Sequence, residues 1–263
     1  MLYKYASEKN ISHKKYGKYI IATSKEEQSK LQTILRQGIE NNVEIDKVFV
    51  EKNNSFVENI KSRVHKKGIN ISFVPIEKLN RLTKNNHQGV VATISPISTL
   101  NINDLEKLIN NKKSILLLIL DGITDTKNFG AIVRSAECLG VDAIIISKSG
   151  SSPINGETIK SSSGGIFNLP ICKVDHIKDA IYFLKENDVD IIGADEKGPK
   201  SLYDHTFELR TALIMGSEGS GINKSILKLC NKSINIPLQG KISSLNVSVA
   251  TGIILAEIKR QLF

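Results

Sequence analysis

Short apolar runs recur along the chain, and the way they alternate with amphipathic stretches divides it in two. In the first part YIIAT (19–23), KVFVEK (47–52), INISFVP and GVVATI (89–94) read as strands. KEEQSKLQTILRQGIENN places Leu31, Ile34, Leu35 and Ile39 on one helical face. NSFVENIKSRVHKKG predicts a second helix, with Asn53 or Asn54 as its cap and Gly68 as its stop, and IEKLNRLT a short third. A small α/β unit is therefore expected over 17–95, after a basic, aperiodic tail at 1–16. SPISTLNIN has turn chemistry and no period, and a linker is expected over 96–113. From 114 the alternation strengthens. SILLLILD, DAIIIS, VDIIGAD, TALIMG and SINIPL are continuous apolar strands of the kind found in parallel sheets covered on both faces. KSSSGGIFNLP (160–170) is a small-residue turn leading into a further strand. The second part, 114–263, reads as an α/β parallel-sheet domain, in which ligands sit at the carboxyl ends of strands.

Three loops follow such strands. DGITDTKNFGAIVRSAECLG (121–140) predicts a helix capped by Thr126 or Asn128, ended by Gly140, with Ile132, Val133, Ala136 and Leu139 buried. Arg134 lies about 200° around from Ile132, clear of the apolar stripe and within reach of the strand ends. GSEGSGI (216–222) carries three glycines, which let a backbone approach a ligand closely. It is not a phosphate loop, since Ile222 and Lys224 break the two glycine fingerprints and Glu218 would repel a phosphate. A cationic or hydroxyl-bearing ligand suits it better. QGKISSLNVSVATG predicts a helix capped by Ser243 or Ser244, with Asn246 and Ser248 in its first turns and Val247, Ala250, Ile254 and Ile258 as its stripe. Its small polar groups offer hydrogen bonds to a ligand. Taken singly, each loop is nearly as well explained as an exposed helix arginine, a surface glutamate on a turn, or a helix cap.

Charge separates the two parts more sharply than composition does. Residues 1–98 hold 17 Lys/Arg against 9 Asp/Glu, and residues 99–263 hold 19 against 18. A basic module beside a neutral one suggests that the first attracts a polyanion. ILLLIL (115–120) falls far short of the roughly 20 apolar residues of a membrane span. No secretory signal is visible at the N-terminus, and Cys138, Cys172 and Cys230 lie far apart without metal-ligand spacing. A reduced, cytoplasmic protein without membrane or metal is the expectation. The histidines form no hydrolytic arrangement either.

Together the three loops resemble the SpoU family of RNA ribose 2′-O-methyltransferases, within the knotted SPOUT superfamily. The resemblance rests on Asn128, Gly130 and Arg134; on Gly216, Glu218 and Gly221 in MGSEGSGI; and on Ile236, Pro237, Leu245, Asn246 and Ser248 in IPLQGKISSLNVSVATG. It covers 114–263, and NHQGVVA (86–92) is similar to the strand closing the substrate-binding domain in the 23S rRNA branch. It implies a trefoil knot, an N-terminal ribosomal L30-like RNA-binding fold, a homodimer, and S-adenosylmethionine as cofactor. Gly216, Ile236 and Leu245 would meet the cofactor through their backbones, with Ser248 in support. Arg134 would activate or orient the ribose hydroxyl, Asn128 would hold the first loop, and Glu218 and Asn246 would position the ribose or the loops. A guanosine of 23S rRNA is the substrate implied. A tRNA 2′-O-methyltransferase, or a non-catalytic RNA-binding assembly factor of the same fold, is the alternative.

Overall fold

Two segments of the chain make their own compact units, residues 1–97 and residues 98–263. The computed structural model describes residues 18–21, 45–52, 70–83, 87, 89–94, 97–242 and 244–262. The tail expected at 1–16 and the first two expected helices lie outside the described residues.

In the first unit β1 (Lys18–Ile21), β2 (Ile45–Glu51), β3 (Asn70–Val74) and β4 (Val90–Ile94) form one sheet in the order β1-β4-β2-β3. β4 runs antiparallel to β1 and β2, while β2 and β3 are parallel. Helix α1 (Ile76–Leu82) packs Leu79 against Val74 and Val91, with Phe49 at the edge of the cluster. The turn into β4 is fastened by His87. Its Nδ1 accepts from the Gly89 N–H at 3.1 Å and its Nε2 meets Asn80 Oδ1 at 2.8 Å. Those two partners select one neutral tautomer.

The second unit contains α2 (Ile102–Asn110), β5 (Ile115–Asp121), α3 (Thr126–Cys138), β6 (Ala143–Ser147), α4 (Gly156–Ser161) and β7 (Ile171–Val174). Then follow α5 (Ile177–Glu186), β8 (Asp190–Ala194), β9 (Lys200–Ser201), β10 (Arg210–Gly216), α6 (Lys224–Leu227), β11 (Lys232–Asn235) and α7 (Val247–Leu262). Its seven strands are all parallel, in the order β7-β6-β5-β10-β8-β11-β9. Leu116, Leu118 and Leu120 on one side of β5 and Ile115, Leu117 and Ile119 on the other are all buried, so both faces are covered as the continuous apolar run requires. The two-residue β9 has no counterpart among the expected strands; it is too short to carry a period.

The expected linker is a correction. Leu100 bridges to Cys172 beside β7, and residues 102–110 form α2, whose Leu105 and Ile109 lie in the sheet's core. Burying each stabilises the unit by about 1.5–3 kcal/mol. A capping box starts the helix, with the Asn101 side chain accepting from Asn103 and Asp104 N–H while Asp104 accepts from the Asn101 N–H. That signature stood in the sequence, masked by the turn-forming residues before it.

Arg210 opens β10 and donates to the carbonyls of Lys112, at 2.7 Å, and Asn187, at 3.0 Å. One guanidinium thus closes the ends of α2 and α5, where carbonyls lack helical partners. α7 packs on α3, with Gly252 close to Ser135. Near its C-terminal end Gln261 bonds the His205 carbonyl and the Phe207 N–H.

His205 is buried edge-to-face on Phe207, and neither ring nitrogen has a partner among the described residues. Burial lowers the pKa of His205, helped by Lys232 and Lys200 against Asp190 and Glu208; burial also lowers that of His87. The unfolded chain therefore takes up protons that the folded chain refuses. Stability is complete above about pH 6.5 and declines as the pH falls below it. Urea melts between alkaline and mildly acid pH should show this loss. His205→Leu should lessen it while leaving stability at alkaline pH nearly unchanged, because both unpaired nitrogens are removed together. An unaltered pH slope in that variant would refute the assignment.

Candidate active site

β5 and β10 run side by side with Asp121 opposite Gly216, so the loops after them leave the sheet at the same edge. Asp121 accepts from the Asn223 N–H at 2.8 Å, which ties the end of the second loop to the root of the first. Gly122, at φ +74°, lets the first loop turn beside Ser217. α3 then begins at Thr126. Its cap is Asp125, which accepts from the Asn128 N–H at 2.7 Å, in place of the expected Thr126 or Asn128. Gly140 stops the helix as expected: it follows the Leu139 cap at φ +70°, and the N–H groups of Gly140 and Val141 close on the Glu137 and Ala136 carbonyls. Ile132, Val133 and Ala136 are buried as expected, and Arg134 is exposed.

The glycine loop is a tight return. Ser217 and Gly221 exchange backbone hydrogen bonds of 3.1 and 3.0 Å, with Gly219 and Gly221 at positive φ. A Cβ on Gly216 would lie 2.0 Å from the Gly221 carbonyl carbon, so no other residue fits there. The turn carries Glu218 outward at its tip.

After β11 the chain runs through Ile236 and Leu245 to α7. The helix starts one residue after Asn246, and Asn246 is its cap; Ser243 or Ser244 had been expected. Asn246 Oδ1 accepts from the Ser248 N–H at 2.9 Å and from Ser248 Oγ at 2.5 Å. Its Nδ2 donates to Asn128 Oδ1 at 3.1 Å and to Glu218 Oε1 at 2.7 Å. Because the oxygen must face a backbone donor, the amide cannot be flipped, and all four of its bonds are used. One carboxamide thus joins side chains from all three loops.

Of the eight residues to which the resemblance gives a role, Asn128, Glu218, Asn246 and Ser248 share one hydrogen-bond network. Gly216 lies beneath the turn that carries Glu218. Ile236 is half-buried just past β11, and Leu245 is exposed beside Asn246. Arg134 stands apart, with no hydrogen bond or ion pair among the described residues. Asn128 Nδ2 and Glu218 Oε2 are likewise unbonded within the described chain, which leaves a donor and an acceptor for a ligand.

Residues 115–256 match the SpoU rRNA Methylase family, and 31–100 match the RNA 2′-O ribose methyltransferase substrate binding family. The chain belongs to the SpoU rRNA methylase family. It is 36% identical over 202 residues to the 23S rRNA (guanosine-2′-O-)-methyltransferase RlmB of Pasteurella multocida, covering 76% of this chain and 82% of that one. With the protein of the same name from Escherichia coli K12 it shares 39% over 175 residues, 66% of this chain and 72% of the relative. The fold is that of the SpoU methyltransferase AviRb from Streptomyces viridochromogenes in complex with the cofactor AdoMet. That match has a TM-score of 0.74 at 21% identity, over 92% of this chain and 89% of the other.

Within this SpoU chain, sequence reading missed what holds α3 in place. A Cβ on Gly130 would lie 1.8 Å from Ser161 Oγ and 2.6 Å from its Cβ. Ser161 in turn sits 3.2 Å from the Thr126 carbonyl. The 160–170 stretch continues along the same helix, where Gly165 packs beside Arg134 and Glu137, and Asn168 donates to Glu137 at 2.9 Å. The available signal was a glycine inside a helix, which costs about 1 kcal/mol relative to alanine and so asks for a packing reason. Gly130→Ala should destabilise the protein by about 1–3 kcal/mol through overpacking. Adding Ser161→Gly should recover part of the loss in the same urea melts. No recovery in the double variant would show that the contact does not set the spacing.

Proposed function

We propose that this protein transfers the methyl group of S-adenosylmethionine to the ribose 2′-hydroxyl of a guanosine in 23S rRNA. The observation that carries the reading is the Asn246 carboxamide, which unites Asn128, Glu218 and Ser248 in a chain of the SpoU family. Relatives at 36–39% identity bear the name of that activity. The basic balance of residues 1–98 and their substrate-binding family match support an RNA partner.

The cofactor fits the residues at this edge. Between Ile236 and Leu245 the described backbone makes no hydrogen bond to other backbone, so its N–H and C=O groups are available to an adenosine. Gly216, Ile236 and Leu245 would hold the cofactor through such groups, and Ser248 would keep the Asn246 cap closed beneath them. When bound, S-adenosylmethionine supplies a methyl group already activated on a sulfonium. The protein has then to place a ribose oxygen in line and relieve it of its proton. A guanidinium keeps its proton across the working range of enzymes and offers a planar fork to oxygen ligands. Arg134 therefore orients the 2′-hydroxyl and its neighbouring phosphate, with a phosphate oxygen taking the proton. Asn128 Nδ2 and Glu218 Oε2 face the ribose or the loops, held by Asn246.

The finer features of the fold belong to the same reading. Strand β10 enters between β5 and β8, and β11 between β8 and β9, an order that supports the trefoil knot. Leu238, Ile242, Leu245 and Val249 are exposed apolar side chains close in sequence, and a second copy of the chain would cover them. The mixed sheet of the first unit supports an L30-like RNA-binding fold. No described helix is long and apolar enough to cross a membrane, and action on ribosomal RNA makes the protein cytoplasmic.

Arg134→Lys keeps the charge and loses the fork, and should lower methyl transfer to a 23S rRNA transcript about 10²-fold. Binding of S-adenosylmethionine, followed by calorimetry, should stay unchanged; near-normal turnover would overturn the role. Asn246→Asp still caps α7, so thermal stability should hold. It replaces two donors with a carboxylate facing Glu218, and turnover should fall about tenfold or more. Mapping 2′-O-methyl groups in RNA from a deletion strain tests the substrate. Loss of one methylguanosine from 23S rRNA is expected, and loss from tRNA alone would reassign the enzyme.

A further inference from the structure

The sheet of the first unit has two unlike faces. Val48 and Val50 of β2 are each 1% exposed, whereas the residues that alternate with them, Lys47, Phe49 and Glu51, are only half-buried. α1 roofs one end of the second face, where Phe49 packs beside Val74, Leu79 and Val91. Beyond that roof the face turns polar. Asn70 and Thr93 are the cross-strand neighbours of Lys47, and Ser72 is a neighbour of Phe49. All three polar residues keep some exposure.

Phe49 stands at the border, and two ammonium groups converge on its ring. Lys47 Nζ lies 5.3 Å from the ring centroid, reaching from the sheet, and Lys78 Nζ lies 5.9 Å from it, reaching from α1. The ring's negative face attracts both. Among the described residues neither lysine forms an ion pair, although Glu51 and Glu77 stand nearby in sequence. Two like charges drawn to one ring repel each other, and an anion bound by both would offset that repulsion. The ring is also half-buried against Val74, Leu79 and Val91, which leaves little free face for a stacked base. What remains is a pair of cations at one ring beside small polar side chains, an arrangement suited to a repeating phosphate backbone rather than to base reading.

We infer that Lys47, Phe49 and Lys78 form a contact for the RNA sugar–phosphate backbone, which seats the substrate on the first unit without reading its sequence. The inference rests on the methyltransferase reading above, and it places one point at which that substrate touches the protein. Phe49 serves by holding the two ammonium groups together; Asn70, Ser72 and Thr93 are positioned to donate to or accept from the same strand.

The test is filter binding of the full-length protein to a 23S rRNA transcript across a KCl series. Lys47→Gln and Lys78→Gln should each weaken binding about fivefold and lower the salt slope by about one. Phe49→Leu, which keeps the apolar packing but frees the lysines, should weaken binding about two- to fivefold with a smaller change in slope. Melting temperature should match the wild type in both lysine variants, and S-adenosylmethionine affinity in all three. Wild-type affinity and slope in both lysine variants would overturn the contact while leaving the enzyme reading intact, provided the wild type methylates the transcript. A wild-type protein that neither binds nor methylates it would overturn both.

Discussion

One carboxamide holds the strand-end edge of the sheet together. Asn246 spends its oxygen on the first turn of α7 and both its hydrogens on Asn128 and Glu218, so the start of one helix fixes the relation of two other loops. Every bond it makes is local to an exposed surface, where a single hydrogen bond adds only about 1 kcal/mol. Its value lies in geometry. With all four positions committed, the amide leaves Asn128 one free donor and Glu218 one free acceptor, each aimed by its bonded half.

That arrangement depends on backbones coming closer than side chains normally allow. Gly216 gives way to the Gly221 turn, and Gly130 gives way to Ser161. In each case a missing methyl group sets the position of what the glycine carries: Glu218 two residues on at the tip of its loop, or the helix that holds both Gly130 and Arg134. The cost of such glycines in backbone entropy is offset by the rigid parallel sheet beneath them, whose strands are buried on both faces.

The two units differ in charge as well as in fold. At the strand ends of the second unit the Asn128 and Asn246 amides meet the Glu218 carboxylate, and Arg134 on α3 has no ion pair among the described residues. The first unit carries most of the net positive charge and gathers two lysines at one aromatic ring. Long-range attraction to a polyanion and short-range alignment of one ribose make different demands on the dielectric and on rigidity.

Local pattern determined a great deal. Continuous runs such as ILLLIL could only be strands covered on both faces, and the three small-residue loops stood at strand ends in the order in which the motifs required them. Helical spacing set Arg134 apart and the small-residue loops drew attention to Glu218 and Asn246, but these three and Asn128 acquired a shared role only through the resemblance of the loops to the SpoU family. Where local rules offered several near-equivalent choices, tertiary structure decided. Asp125 and Asn246 took the caps from neighbouring Thr and Ser, since capping residues differ by only a few tenths of a kcal/mol and loop closure outweighs that. Residues 101–110 became a core helix because Leu105 and Ile109 had a sheet to bury against, which turn chemistry upstream could not reveal. The Asn246 junction spans 118 residues on one side and 28 on the other. No periodicity reaches so far; only the parallel pairing that sets Asp121 beside Gly216 brings those side chains within bonding distance.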